Sequence, residues 1–396
     1  TRRGARVAVV DAGAGDPLGA PDLVIDAAYG TGFHGEYRAP QVAEGTPVLA
    51  VDIPSGVSGD TGEADGSPLA ADRTVTFAAL KPGLLQWDGV HLAGEVTVAD
   101  IGLDPGDSEI GVVEAEDVTR LVPARKYGGN KWSAAVLVVA GSPGMTGAAA
   151  LSARAAYRSG AGMVRLGVPG ATLGSVAIDE AVGVDLDEAG WSTAALEAAE
   201  RCGAVVVGPG LGRATATAAE VKRLVAESPV PVVVDADGLF ALDRIDAGQL
   251  VTGGAPVVLT PHDGEYARLM GCAPGPDRID AARRLGAAAQ SVALVKGPTT
   301  SVADPAGQVL LNTNGTVRLA TAGTGDVLSG VIGALLARGV APRWAAALAA
   351  HVHGLAAHLG FGEGLVAGDL PELVAVVMSE LVAGVPREEE EGITDG

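Results

Sequence analysis

The stretch Asn312-Thr-Asn-Gly-Thr-Val-Arg-Leu-Ala-Thr-Ala-Gly-Thr-Gly-Asp326, running on into Val-Leu-Ser-Gly-Val-Ile-Gly-Ala-Leu-Leu-Ala337, decides how the rest of the chain is read. Gly323 and Gly325 allow a turn that a Cβ would hinder. The apolar run after Asp326 predicts a buried helix whose free N–H groups face back toward that turn. Such a helix mouth cradles anions. A carboxylate there is placed to take the proton of a hydroxyl that reacts beside a bound phosphate, so Asp326 is the expected catalytic base. The plainer alternative is a tight turn at Gly323 and Gly325, with Asp326 acting only as a helix cap.

Upstream of this stretch, residues 134–140, 204–207, 230–235, 255–260 and 293–296 are short Val-rich runs that end in small or polar residues. Apolar runs of this kind, with a helical pattern such as residues 148–159 between them, predict a parallel α/β sheet whose strand ends line one crevice. Gly208-Pro-Gly-Leu-Gly212, Asp235-Ala-Asp237, Pro261-His262-Asp-Gly-Glu265 and Lys296-Gly-Pro-Thr-Thr300 all follow such runs. Residues 340–360 predict an Ala-rich helix carrying His351, His353 and His358. No two of these are four apart, so they read as packing or surface residues rather than as paired zinc ligands.

Toward the front, residues 6–10, 22–26, 47–52, 73–77 and 94–101 predict further strands. Gly30-Thr-Gly32-Phe-His-Gly35 matches a dinucleotide fingerprint, with Asp52 where a ribose-binding acid would sit, but Pro40 and sparse apolar residues leave little room for the required crossover helix. In the loop after Asp52, Asp52 and Ser55 offer oxygen ligands to a hard cation, or the loop is an ordinary cluster of turns. The pattern loosens over residues 104–126, where a domain boundary is expected, giving domains at 1–115 and 116–385. Residues 386–396 read as a solvated acidic tail.

The 396 residues suffice for two domains, and 48% hydrophobic content with only 3% aromatics means a core of Ala, Val and Leu. Two cysteines, Cys202 and Cys272, build neither a disulfide framework nor a cysteine-rich metal site, so a reducing cytoplasmic setting is expected. No purely apolar run reaches the roughly 18 residues of a membrane helix. A net charge of −21 argues against a nucleic-acid partner. No Gly-Lys pair occurs, which excludes a Walker-type loop, and no G-x-S-x-G occurs, which excludes the usual hydrolase elbow. The chain opens at Thr1 without a charged-then-apolar leader, and its true start is expected to lie upstream.

The set Gly323-Thr-Gly325-Asp326, Lys296 to Thr300, Thr260 to Glu265, Gly208 to Gly212 and Asp235-Ala-Asp237 resembles the ribokinase-like superfamily. More narrowly, Ala320-Thr-Ala-Gly-Thr-Gly-Asp-Val-Leu-Ser-Gly330 looks like the ADP- or ATP-dependent NAD(P)H-hydrate dehydratases, over roughly residues 120 to 385. Asp26-Ala-Ala-Tyr-Gly-Thr-Gly, Asp52-Ile-Pro-Ser-Gly and Thr76 to Gly83 look like the NAD(P)H-hydrate epimerase domain fused ahead of it in many bacteria. The resemblance implies a ribokinase-like three-layer α/β/α domain preceded by a partial Rossmann-like α/β domain. It implies a small-molecule substrate, NAD(P)H hydrated on the nicotinamide ring, whose hydroxyl is phosphorylated from ADP or ATP so that phosphate can leave.

On that resemblance Asp326 is the base, and Gly323 and Gly325 steady the transferring group. Ala148, Gly212 and His262 line the hydrate pocket, and Lys296, Gly297, Pro298, Thr299, Thr300 and Gly325 hold the nucleotide. Glu265 stands where related kinases order Mg²⁺, although His262 replaces the usual asparagine. In the first half the resemblance assigns Asp26 and Ser55 to K⁺, and Gly30, Thr31, Gly32, Phe33, His34, Gly35, Glu36 and Asp52 to the hydrate. That family carries an Asn-Asn-Gly-Gly-Asp-type phosphate loop near its start, which is lacking here before Arg6. Three alternatives stand beside this reading: a ribokinase-like kinase of some small alcohol, a first half that only binds or assembles, and a nicotinamide dehydrogenase built on Gly30 to Gly35. An Ala/Gly-rich surface makes a homo-oligomer the expected assembly.

Overall fold

The computed structural model describes residues 4, 6–12, 17–104, 106–125, 127–245 and 254–382; the acidic tail expected at 386–396 lies outside them. The chain divides into two compact units, residues 1–108 with 275–277, and residues 109–274 with 278–396.

In the smaller unit, β1 (Val24–Asp26), β3 (Val48–Val51), β5 (Arg73–Phe77) and β6 (Glu95–Ala99) form a parallel sheet in that order. The strands β2 (Tyr37–Arg38) and β4 (Gly66–Ser67) pair apart from it. A six-residue helix, α1 (Trp87–Leu92), precedes β6. Residues 6–10 form no strand and stay exposed, contrary to their Val-rich pattern. No helix joins β1 to β3, so Gly30 to Gly35 do not open the crossover helix that a dinucleotide fingerprint needs.

The larger unit is built on one ten-stranded sheet. Its strands are β7 (Ile110–Val112), β8 (Ala135–Val139), β9 (Met163–Gly167), β10 (Val182–Val184), β11 (Ala204–Val207), β12 (Val232–Val234), β13 (Val257–Leu259), β14 (Val292–Val295), β15 (Thr300–Ala303) and β16 (Val309–Asn312). The spatial order is β10-β9-β8-β11-β12-β13-β14-β15-β16-β7. From β10 to β14 every pairing is parallel, β15 runs antiparallel to both β14 and β16, and β7 closes the far edge parallel to β16. The stretch 104–126, where the pattern loosens and a domain boundary is expected, holds β7 and α2 (Ala115–Leu121), the latter fixed by a capping box between Glu114 and Asp117.

The central strands are buried on both faces, as their unbroken Val runs require. One face packs on α3 (Thr146–Arg158), α9 (Thr324–Ala337), α10 (Pro342–Leu359) and α11 (Leu370–Val382). The other carries α4 (Ser192–Ala199) against β8, followed by α5 (Thr215–Glu227), α6 (Asp237–Ala241) and α7 (Asp263–Met270); α8 (Arg278–Ala289) packs on β14 and β15. Helix α9 comes close to α3 because Gly330 has no Cβ: one built there would lie 2.2 Å from the Ser152 carbonyl oxygen. No helix among the described residues is long and apolar enough to cross a membrane.

Candidate functional site

Helix α9 begins earlier than its apolar run alone predicts. Gly323, at φ 91°, is the N-cap residue, and Thr324, Gly325 and Asp326 are its first turn. No side chain caps this end, so Asp326 is not spent as a cap and the open N–H groups remain available to an anion. Thr324 steadies the turn from behind by donating its hydroxyl to the Leu319 carbonyl at 2.8 Å. Ser152 of α3 donates to the Asp326 carbonyl at 3.0 Å.

Beneath this turn lies an ion pair between a half-buried lysine and a buried aspartate. The Lys296 ammonium, at the end of β14, stands 2.6 Å from Asp235 Oδ1, at the end of β12. Thr260 donates to the same oxygen at 2.7 Å, and Ser329 of α9 donates to Oδ2 at 2.7 Å. A Cβ on Gly325 would stand 3.3 Å from Lys296 Nζ and 3.5 Å from Asp235 Oδ2, which places the ammonium directly under the open helix end. Burial works against the charge on Lys296, but Asp235, Glu265 and Asp326 outweigh it and hold its pKa above the ordinary lysine value.

Burial, reinforced by the negative charges of Asp235 and Asp237 and only partly relieved by Lys296, pushes the Asp326 carboxyl up to about 7. A carboxyl that changes charge near neutrality, beside an anion cradle, has the profile of a general base.

The other expected residues fall around this centre. Lys296 to Thr300 form the turn from β14 to β15, with Thr299 and Thr300 buried. Gly212 ends the turn after β11, and its N–H donates to Asp237 Oδ2 at 2.9 Å. Ala148, in α3, packs against that same turn, its Cβ 2.9 Å from where a Cβ on Gly210 would lie. His262 caps α7, Nδ1 accepting from the Gly264 N–H at 3.0 Å, while Glu265 Oε2 accepts from the His262 N–H at 2.9 Å. Burial and Asp235 raise the Glu265 pKa against the pull of Lys296.

Of the expected helical histidines, His358 is exposed and His351 and His353 are buried. Asp235, Thr260 and Ser329 carry the buried network, yet no role was expected for them. The one signal available was an Asp placed at the end of an all-Val strand.

The smaller unit holds a separate cluster. Asp26, nearly buried at the end of β1, accepts the Ser55 N–H on Oδ2 at 2.8 Å and the Ser55 hydroxyl on Oδ1 at 2.5 Å. The Tyr29 N–H donates back to Ser55 Oγ at 2.9 Å. Asp52 sits at φ 71°, and its Oδ1 is 2.7 Å from the Lys81 ammonium and accepts from Thr76 Oγ1 at 3.0 Å. Burial opposes the Asp52 charge, but Lys81, Thr76 and the Phe77 N–H prevail and hold its pKa below the usual carboxylate range.

Asp52 Oδ2 faces Gly30, 4.0 Å from where a Cβ would be. Thr31, Gly32, His34, Gly35 and Glu36 are exposed along the loop that follows. Phe33 packs between Tyr29 and Tyr37, with ring centroids 4.5 Å and 6.2 Å away, an aromatic patch in a chain with only four Phe and five Tyr. Phe33 was expected at the hydrate site, but Lys81, Tyr29 and Tyr37 were not expected there. Among the described residues no group of three or more His, Cys, Asp or Glu is arranged to hold a metal.

Comparison with known proteins matches both units. Residues 136–378 match the family described as NAD(P)H-hydrate dehydratase, and residues 4–83 match the family described as YjeF-related protein N-terminus. The bifunctional NAD(P)H-hydrate repair enzyme Nnr of Mycobacterium leprae is 42% identical over 91% of this chain and 75% of its own length. That of Moorella thermoacetica is 38% identical over 91% and 73%. Among solved structures, the ADP/ATP-dependent NAD(P)H-hydrate dehydratase of Bacillus subtilis, co-crystallised with ATP/Mg²⁺, superposes with a TM-score of 0.61 at 30% identity, covering 68% of this chain and 98% of that one. A ribokinase-like superfamily protein of Enterococcus faecalis, at 21% identity and a TM-score of 0.60 over 70% and 99%, shares the fold. The ten-stranded unit thus has the ribokinase-like fold expected of it, and the chain belongs to the family of bifunctional NAD(P)H-hydrate repair enzymes.

Proposed function

We propose that the larger unit restores NAD(P)H from its S hydrate at the expense of ADP or ATP, with Asp326 as the base that takes the ring-hydroxyl proton while the phosphoryl group is transferred. The observation that carries this reading is Asp326 itself. It lies in the uncapped first turn of α9, above the Lys296 ammonium, with a carboxyl pushed up to about 7. The N–H groups of Gly323 and Gly325 and the Lys296 charge would offset the negative charge on the transferring group. Once phosphorylated, the former hydroxyl oxygen leaves as phosphate with its C–O electron pair, and the adjacent ring carbon gives up a proton to solvent, so that the ring double bond returns.

Lys296 to Thr300 hold the nucleotide in this scheme, and Ala148, Gly212 and His262 face the hydrate. Glu265 fits an Mg²⁺ that arrives with the nucleotide phosphates, since Mg²⁺ is commonly bound by one or two carboxylates plus substrate oxygens. It would supply charge neutralisation there.

In the smaller unit we read Asp26 and Ser55 as K⁺ ligands. The Asp26 carboxylate, the Ser55 hydroxyl and the Tyr29 carbonyl, 3.3 Å from Ser55 Oγ, converge as hard oxygen donors. Asp52, kept ionised by Lys81, then faces a hydrate held by residues 30–36, and this half interconverts the R and S epimers. The two free cysteines, Cys202 and Cys272, support a reducing, cytoplasmic setting. Exposed Leu359, Phe361 and Val366 support a homo-oligomer, and light scattering that returned a monomer would remove that part.

The test is to mix the protein with S-NADH hydrate, Mg²⁺ and either ADP or ATP, and to follow the return of NADH absorbance beside Asp326→Asn. Recovery with one nucleotide, lost in the variant, is expected and names the donor. Nucleotide binding without recovery would overturn the reading in favour of a kinase acting on another alcohol.

A further inference from the structure

The buried carboxylate Asp235 has no role in the scheme above, yet it is the point on which three elements converge. It is 1% exposed, and its two oxygens take Lys296 and Thr260 on one side and Ser329 on the other. A carboxylate so deeply buried is retained only when paired and hydrogen-bonded, and here the partners come from the end of β14, the residue after β13, and the second turn of α9.

The backbone beside it is strained. Ala236, at φ 49° and ψ −120°, is a non-glycine residue in a region that L side chains rarely adopt. That conformation sends Asp235 inward to Lys296 and Ser329, and Asp237 outward to Gly212 and Arg213. Gly208 locks the turn from the neighbouring strand: a Cβ there would lie 1.9 Å from the Asp235 carbonyl oxygen. Strain held in place from several sides marks a position whose geometry matters to function.

We propose that Asp235 is a positioning residue of the α9 site: it clamps the Lys296 ammonium beneath Gly325 and ties down Ser329, and so fixes both the anion cradle and the electrostatic surroundings of Asp326. The assignment rests on the reading of α9 as the phosphoryl-transfer site. Its physical consequence is twofold. The clamp keeps Lys296 from turning aside to neutralise Asp326 outright, and the Asp235 charge itself opposes ionisation of Asp326. The charged groups that bear on Asp326 are Asp235 from the end of β12, Asp237 from α6 and Lys296 from the end of β14. Lys296 in turn feels Glu265 from α7, and His353 of α10 feels Lys296. Ser329 has one hydroxyl proton, and its 2.7 Å contact with Asp235 rather than its 3.1 Å contact with the Gly325 carbonyl is the one that a carboxylate would claim.

The experiment compares wild type, Asp235→Asn and Ser329→Ala in the full chain, and has two readouts. The first is the pH dependence of kcat for nucleotide-driven NADH recovery. The second is the titration of the Asp326 carboxyl carbon by NMR, its signal identified by loss in Asp326→Asn. In Asp235→Asn the Asp326 midpoint and the acid limb of kcat should both move to lower pH by about one unit, since one opposing charge is gone and Lys296 is released. In Ser329→Ala kcat should fall about threefold to tenfold while the nucleotide Kd stays within about twofold, because the cradle is loosened but not emptied.

A folded Asp235→Asn whose Asp326 midpoint does not move overturns the proposal and leaves Asp235 a packing residue. Should that variant not fold, Ser329→Ala decides alone, and an unchanged kcat overturns it. A wild type that recovers no NADH with either nucleotide defeats the parent reading instead, and the NMR titration then still decides whether Asp235 governs Asp326.

Discussion

Asp326 is held in a place that costs the fold something once it ionises. Its folded pKa of about 7 lies above the ordinary 3.8, so its contribution to stability is fully present below about pH 4 and is lost as pH rises through about 7. Activity runs the opposite way, because the base must be ionised. The acid limb of kcat should therefore fall near pH 7, and Asp326→Asn should abolish turnover while raising Tm at pH 8 by roughly 2–4 °C. A variant that was inactive and less stable at pH 8 would show that Asp326 is there for packing. Gly325 works at the same scale. In Gly325→Ala the new Cβ crowds Lys296 Nζ at 3.3 Å, and kcat/KM should drop about tenfold, or ~1.4 kcal/mol, in the NADH-recovery assay. Asp326 and Gly325 were both legible in the sequence, since a Gly-x-Gly-Asp run ahead of an apolar helix announces an anion cradle. Asp235 was not, because what gives it meaning is three donors from distant segments.

At the scale of elements, α9 depends on its contact with α3. Gly330→Ala would drive a methyl group into the Ser152 carbonyl, a backbone atom that cannot step aside, and should destabilise the protein by roughly 1–3 kcal/mol, seen as a lower denaturant midpoint at unchanged slope. Helix α10 carries a different liability. Burial, with Lys296 adding to it, depresses the His353 pKa to about 4, and burial also lowers that of His351. For groups depressed in this way, stability is present above the unfolded value of 6.5 and is lost as pH falls toward about 4. A His353→Gln variant should show a flatter Tm profile over that window. The central strands were read correctly because a strand buried on both faces must be apolar throughout, and that signal survives without any neighbour. The edges were harder. Residues 6–10 have the composition of a strand but pair with no strand among the described residues, and Ile110–Val112 is too short to stand out although it pairs along its whole length with β16.

At the scale of the whole molecule, the two clusters lie in different compact units, and their chemistry should separate. Asp52→Asn should abolish interconversion of the hydrate epimers, and with it the accelerated recovery of NADH from the R hydrate, while recovery from the S hydrate stays within about twofold of wild type. Loss of both would mean that Asp52 supports the fold rather than the epimer chemistry. The ribokinase-like unit was readable from motifs that cluster at strand ends, and the change of unit at 108/109 falls inside the loosened stretch 104–126, though the pattern there marks a window rather than a residue.

The exact place of that change matters to anyone who cuts the chain. Strand β7 pairs along the outer side of β16, and a fragment begun at residue 116 would leave the backbone of β16 bare. An open, fully buried-type strand of Val-Leu-Leu-Asn is a template on which further copies can add, so such a fragment should clump on concentration. One begun at residue 109 keeps the three-residue β7 as its edge in place of β16, and so short an edge should leave it dispersed. Three residues just past the first unit thus act as the selvedge of the second.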